Sequence, residues 1–158
     1  MGMRFAGWYA DAAFAVPADL SNVTADTVIY GKYIDEAYFS MVIYNTVSKN
    51  VLTKNRVVTV VDNLGDYKEV GLIAELNGAK TTYVLKTKYS SVNSKKPQQI
   101  FGTGVSASSK LLYKDITVKD LPIGSEIKYT FYYVTKDGTT VTGAENTYVY
   151  NGSGMSKK

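Results

Sequence analysis

The sequence predicts an all-β fold whose main body is a β-sandwich. Tyrosine, threonine and valine favour strands over helices, and tyrosine alone accounts for 14 of the 158 residues. Between residues 38 and 150, apolar and polar residues alternate in short segments separated by turn signals. No segment keeps a helical period, so the pattern indicates stacked sheets.

The predicted strands of the sandwich are short and closely spaced. They cover residues 38–46, 51–61, 70–76, 80–89, 100–105, 111–118, 127–133 and 139–150. Asn77–Gly78 supplies the two positive φ angles of a type I′ turn and therefore predicts a hairpin. Asp137–Gly138 predicts a second tight turn, and Gly143 permits a bulge or kink in the last strand.

Residues 111–142 indicate how the sheets are arranged. A strand reaches Leu121 and Gly124, a long strand with alternating aromatic residues follows, and a tight turn closes the segment. This order resembles the E–F–G corner of a fibronectin type III or related immunoglobulin-like domain. Ile127 stands where those domains place a tyrosine. The resemblance implies an immunoglobulin-like, fibronectin III-like β-sandwich.

Residues 4–33 form a unit with too few apolar side chains to bury a core alone. In residues 27–33, alternation places Tyr30 and Lys32 on one face of a strand and Gly31 and Tyr33 on the other. Residues 11–15 predict a short helical turn.

The same unit carries a spaced aromatic motif. Its residues are Phe5, Gly7, Trp8, Tyr9 and Asp11, then Val23, Thr24, Ala25, Asp26 and Thr27, and finally Tyr30, Lys32 and Tyr33. The motif resembles the closing half of the Listeria–Bacteroides repeat, the type found in internalin B. Tyr33 stands where the repeat usually ends on tryptophan, and the opening half would precede Met1. The resemblance implies a truncated β-grasp-type fragment.

Such repeats serve mostly as stalks or spacers of bacterial surface proteins. The resemblance therefore implies a secreted, extracellular parent protein associated with the bacterial cell wall. Phe5, Trp8 and Tyr9 would normally pack against the missing strands, and they are large side chains to leave in water. We expect them to fold back onto the sandwich or to pair with a second copy of the chain.

These boundaries predict three parts. Residues 1–34 form the partial repeat, residues 38–151 the immunoglobulin-like sandwich, and residues 152–158 a flexible tail rich in glycine and serine.

Composition narrows the function. The chain has no histidine and no cysteine, which removes the commonest general base, the thiol nucleophile and the usual zinc ligands. We expect no enzyme, with no catalytic, metal or cofactor residue. The net charge of +4 is spread along the chain, which argues against nucleic acid. No apolar run approaches the ~20 residues of a membrane span, so no membrane insertion is expected.

Three local patterns have an ordinary and a functional interpretation. Residues 62–66 suit a turn better than a calcium loop. Glu145 and Asn146 make a Lys–Asn isopeptide bond conceivable in a surface sandwich. Residues 106–110 contain serines near Lys110, and a polar loop is favoured over a Ser–Lys dyad.

Aromatic residues of the longest strand lead to the functional prediction. Tyr129, Phe131 and Tyr133 share one face and Tyr132 lies on the other. Either one set is core and the other a solvated sheet surface, or one set binds sugar or peptide. We predict a non-catalytic spacer or adhesion module of a cell-surface protein. The alternative is a carbohydrate- or protein-binding module that uses exposed tyrosines on a sheet face.

Overall fold

The computed structural model describes residues 2–49, 51–86, 95–118 and 120–158. Ten strands are defined there: β1 (Met3–Tyr9), β2 (Tyr30–Asp35), β3 (Met41–Ser48), β4 (Val51–Val61), β5 (Tyr67–Leu76), β6 (Ala79–Val84), β7 (Lys110–Thr117), β8 (Glu126–Thr135), β9 (Thr140–Tyr150) and β10 (Met155–Lys157). A short helix, α1, spans Pro97–Phe101, and 3₁₀ turns span Glu36–Phe39 and Leu64–Asp66.

The main body is a β-sandwich, as predicted. One sheet has the strand order β3-β4-β7, and the other has the order β10-β9-β8-β5-β6, with every pairing antiparallel. The first, second and fifth strands of the sandwich thus share one sheet, and the third, fourth, sixth, seventh and eighth share the other. The constant-type immunoglobulin arrangement has its first, second, fourth and fifth strands in one sheet, so this sandwich differs from it in the sheet to which the fourth strand, β6, belongs. A separate two-stranded sheet pairs β1 with β2.

The core lies between the sheets and is rich in rings. Tyr129, Phe131 and Tyr133 project from one face of β8 and are fully buried. The Asn55 side chain of β4 donates a hydrogen bond to the Tyr129 hydroxyl at 3.1 Å, which shows that this face meets the other sheet. The Tyr133 hydroxyl donates to the Val60 carbonyl at 3.1 Å. Of the two interpretations of these aromatics, the structure supports core.

The opposite face of β8 is covered at Tyr132, which the sequence did not predict. Tyr132 is only 5% exposed, and its ring lies over Gly71 of the neighbouring strand β5. Its hydroxyl donates to the Glu69 carboxylate at 2.6 Å. Burial is the main cause that raises the pKa of Tyr132 to about 12, and this hydrogen bond raises it further in the same direction. Tyr132 is therefore not part of a solvated aromatic face.

Gly71→Ala tests the Tyr132 contact. A Cβ at position 71 would stand 2.1 Å from the Tyr132 ring, so the ring must leave its site and its hydrogen bond. We expect a loss of about 1–3 kcal/mol of unfolding free energy, measured by urea denaturation. Gly65→Ala is the control, because the nearest atom to its Cβ is 3.8 Å away. Equal stability of the two variants would contradict the contact.

The hairpin and bulge predictions are confirmed. β5 and β6 pair around Asn77 and Gly78, whose φ angles are 51° and 80°. β9 carries an extra residue opposite β8 between Thr142 and Glu145, at the position of Gly143. β6 is described to Val84, and residues 87–89 of its predicted strand lie outside the described residues.

Two local predictions were wrong. Residues 100–105 do not form a strand: α1 begins at Pro97 and ends at Phe101, because Pro97 suits a helix start and the Gln99 side chain accepts the Lys96 backbone N–H at 2.7 Å. Residues 11–15 form a non-helical turn. The Asp11 carboxylate accepts the N–H groups of Ala13, Ala15 and Val16, and these bonds lower the pKa of Asp11.

The predicted flexible tail is instead a strand. β10 pairs with the end of β9, and Met155 is buried in the main core. Asn45 of β3 receives the Met155 N–H at 3.3 Å and donates to the Met155 carbonyl at 3.4 Å. Three strand residues among glycines and serines leave no readable period, so the sandwich extends beyond its predicted end at residue 151.

Asn45→Ala is expected to release β10. Losing two partly exposed hydrogen bonds costs about 0.5–1.5 kcal/mol, and the end of the chain should become more sensitive to carboxypeptidase. Asn146→Ala is the matched control, because among the described residues that side chain bonds to the nearby Ala144 carbonyl alone. Unchanged digestion of Asn45→Ala would show that the two Asn45 hydrogen bonds do not hold β10 in place.

Candidate functional site

The candidate site lies on the hairpin formed by β1 and β2. Three aromatic side chains meet on one face of it, around Gly31. The Phe5 and Trp8 ring centroids are 5.0 Å apart, and those of Phe5 and Tyr33 are 5.7 Å apart. Trp8 is 36% exposed and Tyr33 is 59% exposed. We call Phe5, Trp8 and Tyr33, with Gly31 beneath them, the aromatic platform.

A β-bulge brings the platform together. Phe5 and Trp8 are three residues apart, so strict alternation would place them on opposite faces of β1. Their partners on β2, Tyr33 and Gly31, are only two residues apart. The register shifts between Phe5 and Gly7, so β1 has one residue more than β2 in this stretch. The extra residue turns Trp8 to the same side of the hairpin as Phe5.

Gly31 lies beneath the three rings of the platform. A Cβ at this position would lie 3.3 Å from Trp8, 3.5 Å from Phe5 and 3.5 Å from Tyr33. A side chain at this position would therefore touch all three rings, and glycine leaves the space between them open. The alternation predicted for β2 is confirmed here, since Gly31 and Tyr33 share the face opposite Lys32.

The other face of the hairpin is anchored to the sandwich through Asp66. The Tyr9 hydroxyl donates to the Asp66 carboxylate at 2.7 Å, and Asn63 donates to it at 2.7 Å. Lys32 Nζ lies 3.5 Å from Asp66 and 3.6 Å from Asp62. Burial, with the neighbouring Asp66, holds the pKa of Tyr9 well above its ordinary value. We call Tyr9, Lys32, Asp62, Asn63 and Asp66 the polar anchor.

Further contacts fix the hairpin beside β8 and β9. Ala6 and Ile34 belong to the same buried cluster as the sandwich core. Arg4 donates to the Thr142 carbonyl at 3.0 Å, and its guanidinium lies 5.7 Å from the centre of the Phe39 ring. A two-stranded sheet is only marginally stable alone, so these contacts stabilise the β1–β2 hairpin that carries the platform.

The expectation for the front aromatics is met in part. Tyr9 folds back onto the sandwich and is buried, whereas Phe5 and Trp8 stay on the outward face of the hairpin. Among the described residues, eight of the twelve exposed large apolar or aromatic side chains lie between Met3 and Tyr33. Exposed large apolar side chains are therefore concentrated in the first fifth of the chain.

The other candidate residues from the sequence take part in ordinary structural interactions. Residues 62–66 contain the 3₁₀ turn Leu64–Asp66, and Asp66 belongs to the polar anchor. Glu145 pairs with Lys128 at 3.3 Å on the surface. Ser109 donates to the Tyr38 hydroxyl at 3.2 Å. No group of three or more carboxylates that could hold a metal ion occurs within residues 2–49, 51–86, 95–118 and 120–158.

The β8 aromatics, which the sequence left open as either core or a binding face, are not an exposed face. The aromatics of β8 are buried on both faces, while the exposed tyrosines include Tyr30 and Tyr33 on β2. The signal that would have found the platform is the three-residue step from Phe5 to Trp8 with Gly7 inside it. A glycine in a strand indicates a bulge, and a bulge reverses the face on which the later side chains of that strand lie.

A polar cavity at one end of the five-stranded sheet is a weaker candidate. It measures about 350 Å³ and includes Glu75, Glu126 and Lys128 in its lining. Both carboxylates already pair with lysines, Glu75 with Lys80 at 3.4 Å and Glu126 with Lys158 at 2.6 Å. These pairs are typical of a solvated charged surface.

Within the described part of the chain, no helix has both the length and the apolar character needed to cross a membrane. No protein-family model matches the sequence, and no curated protein matches it. The fold resembles the crystal structure of the Br derivative of BhCBM56, a carbohydrate-binding module. The match has a TM-score of 0.43 and 14% identity, and covers 72% of this chain and 92% of that one. At these values the likeness carries no argument about the ligand.

Proposed function

We propose that this chain is a non-catalytic carbohydrate-binding module, and that the aromatic platform is its binding face. The observation that carries the proposal is the exposure of Trp8 and Tyr33 on a face built by a bulge and a bare glycine. Sugar rings have apolar C–H faces and polar edges, so they can cover an aromatic ring while their hydroxyls stay in water.

The size of the platform favours a small ligand over a folded protein. A fully buried aromatic side chain covers about 150–250 Å², so three rings offer at most about 450–750 Å². Stable protein–protein interfaces bury about 1,200–2,000 Å² in total, of which one partner supplies half. Part of the platform is already covered by its own neighbours, so the remaining area suits one or two sugar units.

The neighbouring carboxylates support a binding role over a catalytic one. Asp35 accepts the Ala37 N–H at 2.8 Å and caps the 3₁₀ turn that follows β2. Glu36 pairs with Arg4 at 3.4 Å. Glycosidases need two carboxyl groups flanking the scissile bond, and these two serve the backbone and an ion pair.

The proposal places the module in a bacterial cell-surface protein outside the cell. The resemblance of residues 4–33 to the Listeria–Bacteroides repeat supports this location. In such a protein the module would hold the cell to a glycan surface, which combines the adhesion role predicted from the sequence with its sugar-binding alternative.

Tyr33→Ala tests the binding face. We expect about tenfold weaker glycan binding, because one exposed stacking ring is lost. A glycan array should first identify the bound sugars, and affinity electrophoresis should then measure the change. Tyr30→Ala is the matched control: Tyr30 is also exposed, at 38%, but belongs to the other alternation set of β2.

Two results would contradict the proposal that the platform binds sugar. If the wild-type chain binds no glycan on the array, or if Tyr30→Ala and Tyr33→Ala weaken binding equally, the platform is not a sugar site. The spacer function predicted from the sequence would then be the better description of the module.

A further inference from the structure

We infer that the aromatic platform selects uncharged glycans and rejects acidic ones, such as those that carry uronic acid or sulfate groups. This inference rests on the proposed function. It follows from the charges around the platform. The first 36 residues contain two basic and five acidic residues and have a net charge of −3, whereas residues 37–158 have a net charge of +7. The platform therefore belongs to an acidic segment of a basic chain.

Both basic residues of this segment lie away from the platform. They are Arg4 and Lys32. Arg4 donates to the Thr142 carbonyl of β9 at 3.0 Å and pairs with Glu36 at 3.4 Å. Lys32 belongs to the polar anchor, where two carboxylates lie beside it. Both cations thus face the sandwich and are already paired, so neither is placed to receive an anion on the outward face of the hairpin.

Asp35 places a negative charge on the platform's own face. It follows Tyr33 by two residues in β2, and Ile34 between them is buried, so Asp35 and Tyr33 share the outward face. Its partner on β1, Met3, is 61% exposed. Two residues of a strand span about 7 Å, so a sugar that covers the Tyr33 ring comes close to the Asp35 carboxylate.

The charge at the Trp8 end is partly balanced. The connection between β1 and β2 contains three aspartates and no lysine or arginine. One of them, Asp19, is exposed, and the N–H of the residue before it donates to the Trp8 carbonyl at 2.9 Å. Hydrogen bonds from Ser21 are the main cause that lowers the pKa of Asp19, and the charge of Lys68 acts in the same direction.

The Asp35 end lacks such a balance. Within the described ranges, Asp35 forms no ion pair with lysine or arginine. Binding sites for anionic groups use arginine or lysine as charged hydrogen-bond donors. An acidic sugar on Tyr33 would instead meet a like charge, and repulsion across about 7 Å of water weakens binding about threefold, with a larger effect where water is excluded.

The test compares uncharged glycans with acidic counterparts of the same backbone, using the full chain. A glycan array that carries both classes comes first. Mannohexaose is then titrated beside hexamannuronate, and cellohexaose and the strongest uncharged array ligand beside their forms oxidised at the primary hydroxyls. We expect uncharged array ligands, and at least about threefold weaker binding of the acidic member of each pair that binds. This difference should shrink in about 0.5 M salt, because salt screens the repulsion.

Asp35→Asn identifies the source of the selectivity. The amide oxygen still accepts the Ala37 N–H, so the turn is preserved, and the affinities of the two members of a pair should become nearly equal. Glu126→Gln is the control with the same change of charge. Glu126 begins β8, whereas Gly7 of the hairpin lies beside Thr135 at the other end, about 30 Å along the strand, so the difference should persist.

The outcomes separate the two proposals. Binding of acidic glycans that equals or exceeds that of their uncharged counterparts, and that Tyr33→Ala weakens, overturns the inference while the sugar-binding function stands. A selectivity that Asp35→Asn leaves unchanged also overturns the inference, because its stated cause is then wrong. Failure of every glycan to bind overturns the proposed function and the inference together.

Discussion

Phe131→Ala is expected to lower the unfolding free energy by about 3–5 kcal/mol. Phe131 is fully buried between the two sheets, and its ring meets the Tyr133 ring edge to face, with the two ring centroids 4.7 Å apart. Removing it leaves a cavity that close-packed neighbours fill only in part. This is the largest effect we expect from one substitution, and it follows from assigning the β8 aromatics to the core.

Urea denaturation is the measurement, with Ile123→Ala as the control. Ile123 is 76% exposed, so its truncation should change stability by less than about 0.5 kcal/mol. Phe131→Leu preserves part of the volume and remains measurable if the alanine variant does not fold. A loss below about 1 kcal/mol for Phe131→Ala would mean that β8 presents this ring to solvent and that the core assignment is wrong.

Asp66→Ala is expected to detach the β1–β2 hairpin at a cost of about 2–4 kcal/mol. The substitution removes the acceptor of the buried Tyr9 hydroxyl at 2.7 Å and one of the two carboxylates beside Lys32. The buried Tyr9 hydroxyl then lacks its acceptor, and the poorly solvated Lys32 ammonium keeps Asp62 but loses Asp66, so the hairpin separates before the sandwich unfolds. Glycan binding should be lost with it.

Hydrogen exchange separates this local effect from global unfolding. Amides of β1 and β2 should lose protection in Asp66→Ala, whereas those of β4 and β8 should keep theirs. Asp19→Ala is the control, because Asp19 is exposed and the hydrogen bonds it accepts within the described ranges come from the nearby Ser21. Uniform loss of protection across the chain would contradict a separable hairpin, and no loss would contradict the anchor.

Local patterns in the sequence predicted much of the sandwich. The strand at residues 51–61 matches β4, and Asn77–Gly78 placed the β5–β6 turn, because both depend on short-range alternation and turn chemistry. Alternation also grouped Tyr129, Phe131 and Tyr133 on one face. It says which residues share a face but not what covers that face, so the burial of Tyr132 over Gly71 was missed.

Long-range contacts account for the other differences. β10 is stabilised by Asn45, which lies 110 residues away in the sequence, and nothing in its own residues indicates a strand. The platform depends on pairing across the 20-residue connection between Tyr9 and Tyr30, and on a bulge that reverses one face. A single sequence shows the glycine at position 7 but not the partner strand that turns it into a bulge.

Fluorescence of Trp8 is the sharpest test of the platform as a sugar-binding face, because Trp8 is the chain's one tryptophan and lies in the platform. Titration with a soluble glycan identified by the array should shift the emission to a saturable end point. We predict that Tyr30→Ala behaves as the wild type and that Tyr33→Ala needs about ten times more glycan. Emission that stays constant while affinity electrophoresis shows saturated binding would place the sugar elsewhere and contradict the assignment of the platform as the binding face.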